Sequence, residues 1–296
     1  MNMRRILVVT LILCVGLAGA AFAGGQQEPA PAGESMGEDG TAEEASFERT
    51  PQDPRLKEPG QLTVATGDPA YPPWMLNDDP AGGEGFENGL VYALAEEMGF
   101  DREDVVWMRT TFDEGIAPGE KDYDFVIQQY SVTEERREFV DFSMVYYQPS
   151  KAVVALSDSV VADAQSMGDM RDADWGAMIG STDLDYIENI IGAEDVAVYD
   201  DQAGVFQALL GGQIDATTQS VPTALFATAV QVPEAEIVAT MPADPNDQGH
   251  GLVFEKGNPI VPWVNDALEA IIDRGVVEEL RQEYLVGGES IQEITD

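Results

Sequence analysis

The chain has 296 residues, of which 55 are acidic and 15 are Lys or Arg, so its formal net charge is −40. Such an acidic balance excludes a nucleic-acid backbone or an anionic lipid surface as the natural partner, because like charges repel. With 44% hydrophobic residues, the chain is long enough to fold around a large core in one or two domains. The acidity favours solubility and is typical of proteins that stay soluble in high salt, where self-repulsion is screened.

Residues 1–23 have the layout of a secretory signal peptide. Arg4 and Arg5 precede an apolar run over residues 6–18, and Ala21-Phe22-Ala23 follows as a small-residue cleavage site. The run is too short to span a bilayer comfortably. The pattern therefore predicts export across the inner membrane, to the periplasm or the outer face of the cytoplasmic membrane.

The single cysteine, Cys14, lies inside this N-terminal segment and offers an alternative. It would be lipidated if the segment were a lipoprotein signal, but Ile12 and Leu13 are bulky where lipid-site processing requires small residues. Lipid anchoring is therefore disfavoured. The mature chain then contains no cysteine, which excludes a disulfide framework and thiol chemistry.

Residues 24–60 are rich in Gly, Pro and Glu, and Phe47 is their only aromatic residue. Such a segment cannot bury enough apolar surface to offset its ordering entropy, so we expect a disordered acidic linker. The fold is expected to begin at Gln61. From there, apolar runs typical of strands alternate with helical patterns and no hairpin signal intervenes, which favours an α/β architecture.

The most informative stretch of the sequence covers residues 124–143. It opens with the apolar run 125–127, which predicts a buried parallel strand. Polar residues follow this strand at once, and Gln128, Gln129 and Ser131 can point into a cleft at its end. The stretch therefore predicts the edge of a binding site.

A carboxylate is the ligand group that the next residues favour. Thr133 can cap a helical turn, and Arg136 follows three positions later. A guanidinium can bind two carboxylate oxygens, while a hydroxyl and exposed backbone N–H groups satisfy the remaining lone pairs. Arg136 and Ser131 are therefore candidate carboxylate-binding residues.

The stretch from Ser131 to Arg136, Ser-Val-Thr-Glu-Glu-Arg, is followed by Val140-Asp141-Phe142-Ser143 and by Tyr146-Tyr147. This pattern resembles the central motif of the family 3 extracellular solute-binding proteins, which deliver amino acids to ABC importers. The resemblance extends over about Gln61 to Leu285. It implies capture of a small carboxylate-bearing ligand by hinge closure and delivery to a membrane permease, by a protein expected to be monomeric.

The resemblance also implies a two-lobed periplasmic binding protein type II fold, in which each lobe has a mixed, mostly parallel sheet flanked by helices. Residues 61–152 and 253–296 would form lobe 1, and residues 153–252 would form lobe 2. Two crossing strands would form the hinge. The ligand would lie at the carboxyl ends of the strands, in the cleft between the lobes.

Further site residues follow from the same resemblance. In lobe 1, Tyr71 would stack over the ligand, and Phe112 would form the second wall of an aromatic sandwich. Trp74 is displayed by the same proline-rich loop as Tyr71. In lobe 2, Ser181 and Thr182 open a helix, whose N-terminus would bind the ligand carboxylate from the opposite side.

One position departs from the family pattern. The family usually has an aspartate where this chain has Ser220, and that carboxylate binds the α-ammonium group of the amino acid. Another acid would have to replace it, with Asp68, Glu87 and Asp183 as candidates, or the ligand is not an ordinary α-amino acid. A modified amino acid or a compatible solute then also fits.

No metal or other cofactor is expected, since the only histidine, His250, cannot form a metal site or a catalytic triad without further ligands. His250 is instead a candidate for lining the pocket. The alternative from another class is an enzyme, because the same fold hosts dehydratases that act on cyclic acids. Such chemistry requires a positioned acid or base with a tuned pKa, and the sequence reveals no such pair.

Overall fold

The computed structural model describes residues 48–285 and 291–295. The predicted signal peptide, Cys14 and most of the predicted linker lie outside these residues. Within the described part of the chain, no helix has the length and apolarity needed to cross a membrane.

The structure alternates strands with helices, as the sequence pattern predicts. The strands are β1 (Leu62–Gly67), β2 (Val105–Thr110), β3 (Phe125–Val126), β4 (Val140–Phe142), β5 (Lys151–Leu156), β6 (Gly176–Met178), β7 (Ala197–Tyr199), β8 (Ala216–Ser220), β9 (Ala235–Met241) and β10 (Val253–Glu255). The α-helices are α1 (Phe86–Glu97), α2 (Phe112–Ile116), α3 (Glu134–Arg137), α4 (Met167–Met170), α5 (Thr182–Tyr186), α6 (Gln202–Leu210), α7 (Val221–Phe226), α8 (Val261–Asp273) and α9 (Val276–Tyr284). Helices α5 and α7 continue as π-helical turns over Ile187–Ile191 and Ala227–Gln231.

Lobe 1 contains a five-stranded sheet in the order β2-β1-β3-β10-β4. Strands β2, β1 and β3 are parallel, and β10 is antiparallel to both of its neighbours. All six residues of β1 are buried, as expected for a strand with helices or loops on both faces. Helices α1, α8 and α9 pack against one another on one face of this sheet, and Gly275, with a left-handed φ of +82°, separates α8 from α9.

Lobe 2 contains the sheet β8-β5-β9 and the parallel pair β6-β7. A parallel bridge between Trp175 and Ala216 joins the pair to β8. Strand β5 is antiparallel to both of its neighbours. In each lobe, therefore, the antiparallel strand is the one by which the chain enters from the other lobe: β5 in lobe 2 and β10 in lobe 1.

The crossing between the lobes lies slightly before the predicted boundaries. Strand β5 already pairs with lobe 2 at Lys151, whereas residue 152 was expected to be the last of this lobe 1 segment. On the return, His250 bridges to both Ser131 and Tyr147, so this part of the crossing is already attached to lobe 1. The two crossing segments thus run side by side at Tyr147 and His250.

The structure also differs from the prediction at both ends of the fold. Leu56, assigned to the linker, is 4% exposed and belongs to the lobe 1 core. The packed chain therefore begins before Gln61. The sequence does not predict this start because Leu56 is a single apolar residue among turn-forming residues. At the other end, Ile294 is 1% exposed and packs in the core of lobe 2, although residues 253–296 were assigned to lobe 1.

Each lobe has an aspartate just before a central strand, and both carboxylates bind backbone N–H groups. Asp124 accepts hydrogen bonds from the N–H groups of Thr63 and Lys57, each at 2.8 Å. Asp215 accepts one from the N–H of Asp174 at 2.9 Å. In each lobe, therefore, an aspartate that precedes one strand holds the backbone at or near the start of a neighbouring strand.

We expect Asp124→Ala to destabilise the protein by about 2 kcal/mol, because it leaves two backbone N–H groups near the start of β1 without their acceptor. Asp124 is 1% exposed, so water has little access to replace the carboxylate. Urea unfolding measures the change, with the exposed Asp122→Ala as the control. Equal unfolding midpoints for the two variants would contradict this role for Asp124.

Candidate functional site

A cavity lies where the two lobes meet, at the carboxyl ends of the lobe 1 strands. It is lined by Tyr71, Phe112, Gln128, Gln129, Ser131, Arg136, Pro149, Lys151, Met178, Ser181, Thr182, Asp183, Gln202, Gln219, Ser220, Thr223 and His250. The candidates selected from the sequence are all in this set except Asp68, Glu87 and Trp74. Both lobes contribute side chains, as the cleft prediction requires.

Arg136 connects the two lobes across the cavity. It lies in the short helix α3, whose N-terminus is capped by the Thr133 hydroxyl, as predicted. The guanidinium donates to the carbonyl oxygen of Ser131 in lobe 1 at 2.7 Å and to that of Gly180 in lobe 2 at 2.8 Å. It also lies over the Phe112 ring, 5.6 Å from its centre. Burial lowers the pKa of Arg136, and the charge of Asp247 opposes this shift.

Gly180 allows this close approach of the lobes. Its φ of +67° lies in the left-handed region that favours glycine. A Cβ atom at this position would lie 2.7 Å from a carboxylate oxygen of Asp113 in lobe 1. The turn that ends β6 is therefore shaped both to start α5 and to present its carbonyl oxygen to Arg136.

The two hydroxyls predicted to bind the ligand carboxylate meet across the cleft. The oxygens of Ser131 and Thr182 lie 3.2 Å apart. Both also approach one carboxylate oxygen of Asp247, at 2.6 Å from Ser131 and 3.4 Å from Thr182. Asp247 lies in the returning crossing segment, and sequence reasoning did not select it. Its carboxylate accepts the hydrogen bonds that these hydroxyls are predicted to donate to a ligand.

Lys151 is a second cation on the cavity wall, and sequence reasoning also missed it. It is 6% exposed. Its ammonium group donates to Asp183 at 2.7 Å and to the Thr182 hydroxyl at 3.2 Å. Asp183, a candidate partner for the ligand ammonium, is therefore already paired with a cation of the protein.

Ser181 and Ser220 both stand at the N-termini of helices. The Ser181 hydroxyl accepts from the Leu184 N–H and donates to the Met178 carbonyl, so it acts as a helix cap. The Ser220 hydroxyl makes no capping bond and instead donates to the Thr223 hydroxyl at 2.9 Å. Ser220 thus supplies the cavity wall with a dipole and not a charge.

Glu87, another candidate for the ammonium, is excluded from the cavity wall. It is 1% exposed and binds Gln129 twice, through the backbone N–H at 2.8 Å and through the side-chain amide. The Tyr146 hydroxyl donates to the same carboxylate. Burial raises the pKa of Glu87 to about 7, against these hydrogen bonds. Glu87 therefore holds Gln129, which lines the cavity with a left-handed φ of +51°.

The remaining ammonium candidate, Asp68, is exposed and does not line the cavity. Trp74 is also absent from the wall, because its ring is packed inside lobe 1 against Phe86, Tyr147 and His250. Its indole N–H nevertheless reaches lobe 2, donating to the Thr223 hydroxyl at 2.8 Å. Trp74 thus holds the lining residue Thr223 by a hydrogen bond without lining the cavity itself.

The aromatic residues predicted to enclose the ligand both line the cavity. Phe112 begins helix α2 and stacks on Tyr130, with ring centres 4.6 Å apart. The Tyr130 hydroxyl occupies space that any side chain at Gly115 would need, since a Cβ there would lie 1.9 Å from it. Tyr71 lies in the proline-rich loop, and burial raises its pKa to about 12.

His250 lines the cavity. It is 4% exposed, and its Nδ1 atom has no hydrogen-bond partner. Burial, together with the charges of Lys151 and Arg136, lowers its pKa to about 3, so the imidazole is neutral. Among the described residues, no group of His, Cys, Asp and Glu is arranged to hold a metal ion.

Sequence reasoning missed the lining residues whose position depends on the second lobe. These are Pro149, Lys151, Met178, Gln202, Gln219 and Thr223. One signal was available for Lys151: it is one of four lysines in a very acidic chain, and it starts an otherwise apolar strand. Gln202, at the first position of α6, was not distinguishable from an ordinary helix-starting residue.

The family model of the bacterial extracellular solute-binding proteins, family 3, matches residues 62–287 of this chain. The chain therefore belongs to this family. The L-cystine-binding protein TcyJ of Escherichia coli (strain K12) is 26% identical over 234 residues, which cover 78% of this chain and 84% of that protein.

Solved structures show the same fold. An ancestral arginine-binding protein bound to arginine has 27% sequence identity and a TM-score of 0.63, covering 77% of this chain and 99% of that one. The ancestral amino acid-binding protein AncCDT-1, a precursor of cyclohexadienyl dehydratase, has 25% identity and a TM-score of 0.63, covering 77% and 96%. The chain is thus an extracellular solute-binding protein with the predicted two-lobed α/β fold.

Proposed function

We propose that this protein captures a small carboxylate-bearing solute, an amino acid or a derivative, between its two lobes and delivers it to the permease of an ABC importer. The observation that carries the proposal is the position of Arg136, which belongs to lobe 1 and bonds to the Gly180 carbonyl of lobe 2 at the cavity. A ligand carboxylate placed there would be held only when the lobes close. Relatives that bind cystine and arginine support the amino-acid class.

The ligand would be enclosed by groups of known character. Arg136 has N–H groups beyond those bound to the two carbonyls, and these are available to an anion. Phe112 and Tyr71 supply flat apolar surface beside it. The region thus combines one strong anion site with an apolar wall, which is typical of small-molecule sites.

A thermal-shift screen at high salt tests the proposal. The panel holds the common amino acids, their N-acetyl, 2-oxo and 2-hydroxy analogues, and osmolytes such as glycine betaine. We expect at least one carboxylate to raise the melting temperature in a concentration-dependent manner, because a ligand that binds only the folded state stabilises it. The proposal would be contradicted if none of the carboxylates raised the melting temperature and titration calorimetry detected no binding of any of them.

The dehydratase alternative finds no specific support in the cavity. The one carboxylate among the described lining residues, Asp183, is paired with Lys151. His250 is neutral with a pKa of about 3, far from the range that suits a general acid or base at neutral pH. Incubation with the identified ligand followed by mass spectrometry separates the two functions, and we expect the ligand to be recovered unchanged.

A further inference from the structure

The charges on the cavity wall favour anions. Among the described lining residues, the cations are Arg136 and Lys151 and the one carboxylate is Asp183. The imidazole of His250 is neutral, and Asp183 is paired with Lys151 at 2.7 Å. Among these lining side chains the cations outnumber the carboxylates. The nearby Asp247, which does not itself line the cavity, accepts hydrogen bonds from the Ser131 and Thr182 hydroxyls and from the Gly249 N–H, so the wall presents no unpaired carboxylate to a ligand ammonium group.

The hydroxyls of Ser131 and Thr182 are not available as hydrogen-bond donors to a ligand anion. Ser131 and Thr182 both approach the Asp247 carboxylate, and Thr182 accepts from Lys151 at the same time. A ligand anion at this position would consequently depend on the guanidinium of Arg136 and the ammonium group of Lys151. Lys151 is 6% exposed, so its charge is poorly screened by water.

The position of Lys151 in the sheet places it beside Ser220. The two residues are directly opposite each other in the antiparallel pair of β5 and β8, so their side chains project on the same face. Both line the cavity. An α-ammonium group bound near Ser220 would thus lie on the same face of the sheet as the Lys151 side chain, whose positive charge would repel it.

A second, independent observation concerns unsatisfied donors. Gln202 lines the cavity, and its side-chain amide nitrogen is buried and has no hydrogen-bond partner. Gln202 is 9% exposed. A buried amide N–H is normally satisfied by an acceptor, which an oxygen atom of a ligand provides and an ammonium group does not.

We propose that Lys151 is a specificity-determining residue that, together with Arg136, selects a carboxylate without an α-ammonium group, whose α-substituent is an acceptor oxygen. The ligand class is that of 2-oxo and 2-hydroxy acids. This inference rests on the proposed function, because it concerns the same cleft. It narrows the ligand from amino acids and derivatives to deaminated derivatives.

Titration calorimetry on matched pairs tests the inference. The pairs are L-alanine with pyruvate and L-lactate, L-leucine with 4-methyl-2-oxopentanoate, L-phenylalanine with phenylpyruvate, and L-glutamate with 2-oxoglutarate. We expect an oxo or hydroxy acid to bind at least about tenfold more tightly than its amino acid, the ratio that one charge-assisted hydrogen bond supports. Equal or tighter binding of the amino acid in every pair that binds would overturn the inference but leave the proposed function intact. Binding by neither member of any pair would overturn the inference, and silence of the whole carboxylate panel in the thermal-shift screen would overturn the proposed function as well.

Variants at position 151 separate a ligand contact from a structural role. Lys151→Met should lower the affinity for the oxo acid by at least about tenfold and raise that for the amino acid, since Asp183 becomes available to an ammonium group. Lys151→Gln retains a hydrogen-bond donor without the charge and should shift the preference in the same direction if the Met variant does not fold. Lys256→Met is the control, because it removes a half-exposed lysine that forms an ion pair with Asp141 away from the cavity. Unchanged selectivity in both Lys151 variants would overturn the proposal.

Discussion

Arg136→Ala should abolish measurable binding of a micromolar ligand. Truncating a cation that pairs with a buried carboxylate typically costs about 2–5 kcal/mol, which corresponds to a loss of roughly 30- to several-thousand-fold in affinity. In this protein the loss should be near the upper end of that range. The Ser131 and Thr182 hydroxyls already bind Asp247, so they cannot take over the ligand carboxylate.

Arg137→Ala is the matched control, because the neighbouring arginine makes an exposed ion pair with Glu134 at 3.7 Å and does not line the cavity. Such surface pairs contribute little. Glu135, which is exposed on the same short helix, should likewise tolerate replacement by alanine. Titration calorimetry with the identified ligand measures all three variants. Unchanged affinity in the Arg136 variant would remove this residue from the site.

Glu87→Gln should make the protein more stable at pH 8 and leave its stability unchanged near pH 4. The pKa of Glu87 is raised from 4.5 to about 7 in the folded protein by burial. Between these two values the folded state retains a proton that the unfolded state has lost, so stability falls as pH rises. The shift corresponds to about 3 kcal/mol at pH 8, which the neutral amide avoids.

The amide at position 87 can retain the existing contacts. Its oxygen can accept hydrogen bonds from the Gln129 backbone N–H and the Tyr146 hydroxyl. The side-chain amide of Gln129 can flip, so that its oxygen accepts a hydrogen bond from the new side-chain N–H at position 87. Urea unfolding of both proteins from pH 4 to pH 8 gives the difference. Glu96→Gln, on the exposed face of α1, controls for the loss of one charge. A difference between wild type and variant that does not change with pH would contradict the prediction.

The fold could be predicted largely because local patterns and the tertiary structure agree. The apolar run 125–127, which predicts a buried parallel strand, contains β3, and the predicted alternation of strands and helices is observed along the described chain. The errors lie where a few apolar side chains make isolated contacts. Leu56 and Ile294 are each surrounded by polar or turn-forming residues, so no periodicity distinguished them from a tail.

The site was predicted in part. Arg136, Ser131 and Thr182 are close in space because they begin or follow elements at the same edge of the two sheets. Lys151 and Asp247 could not be found in that way. Their roles depend on which residues β5 faces in its neighbours and on the path of the returning crossing segment, and neither is encoded in a short motif. For the same reason, the ion pair between Asp183 and Lys151 could not be predicted from the sequence.

The position of Ile294 bears on how the protein reaches its native state. Strand β10 and helices α8 and α9 of lobe 1 follow the whole of lobe 2 in the chain, and Ile294 of the lobe 2 core follows those helices. Each lobe therefore includes chain that is made after most of the other lobe, so neither core can be completed independently of the order in which the other is synthesised.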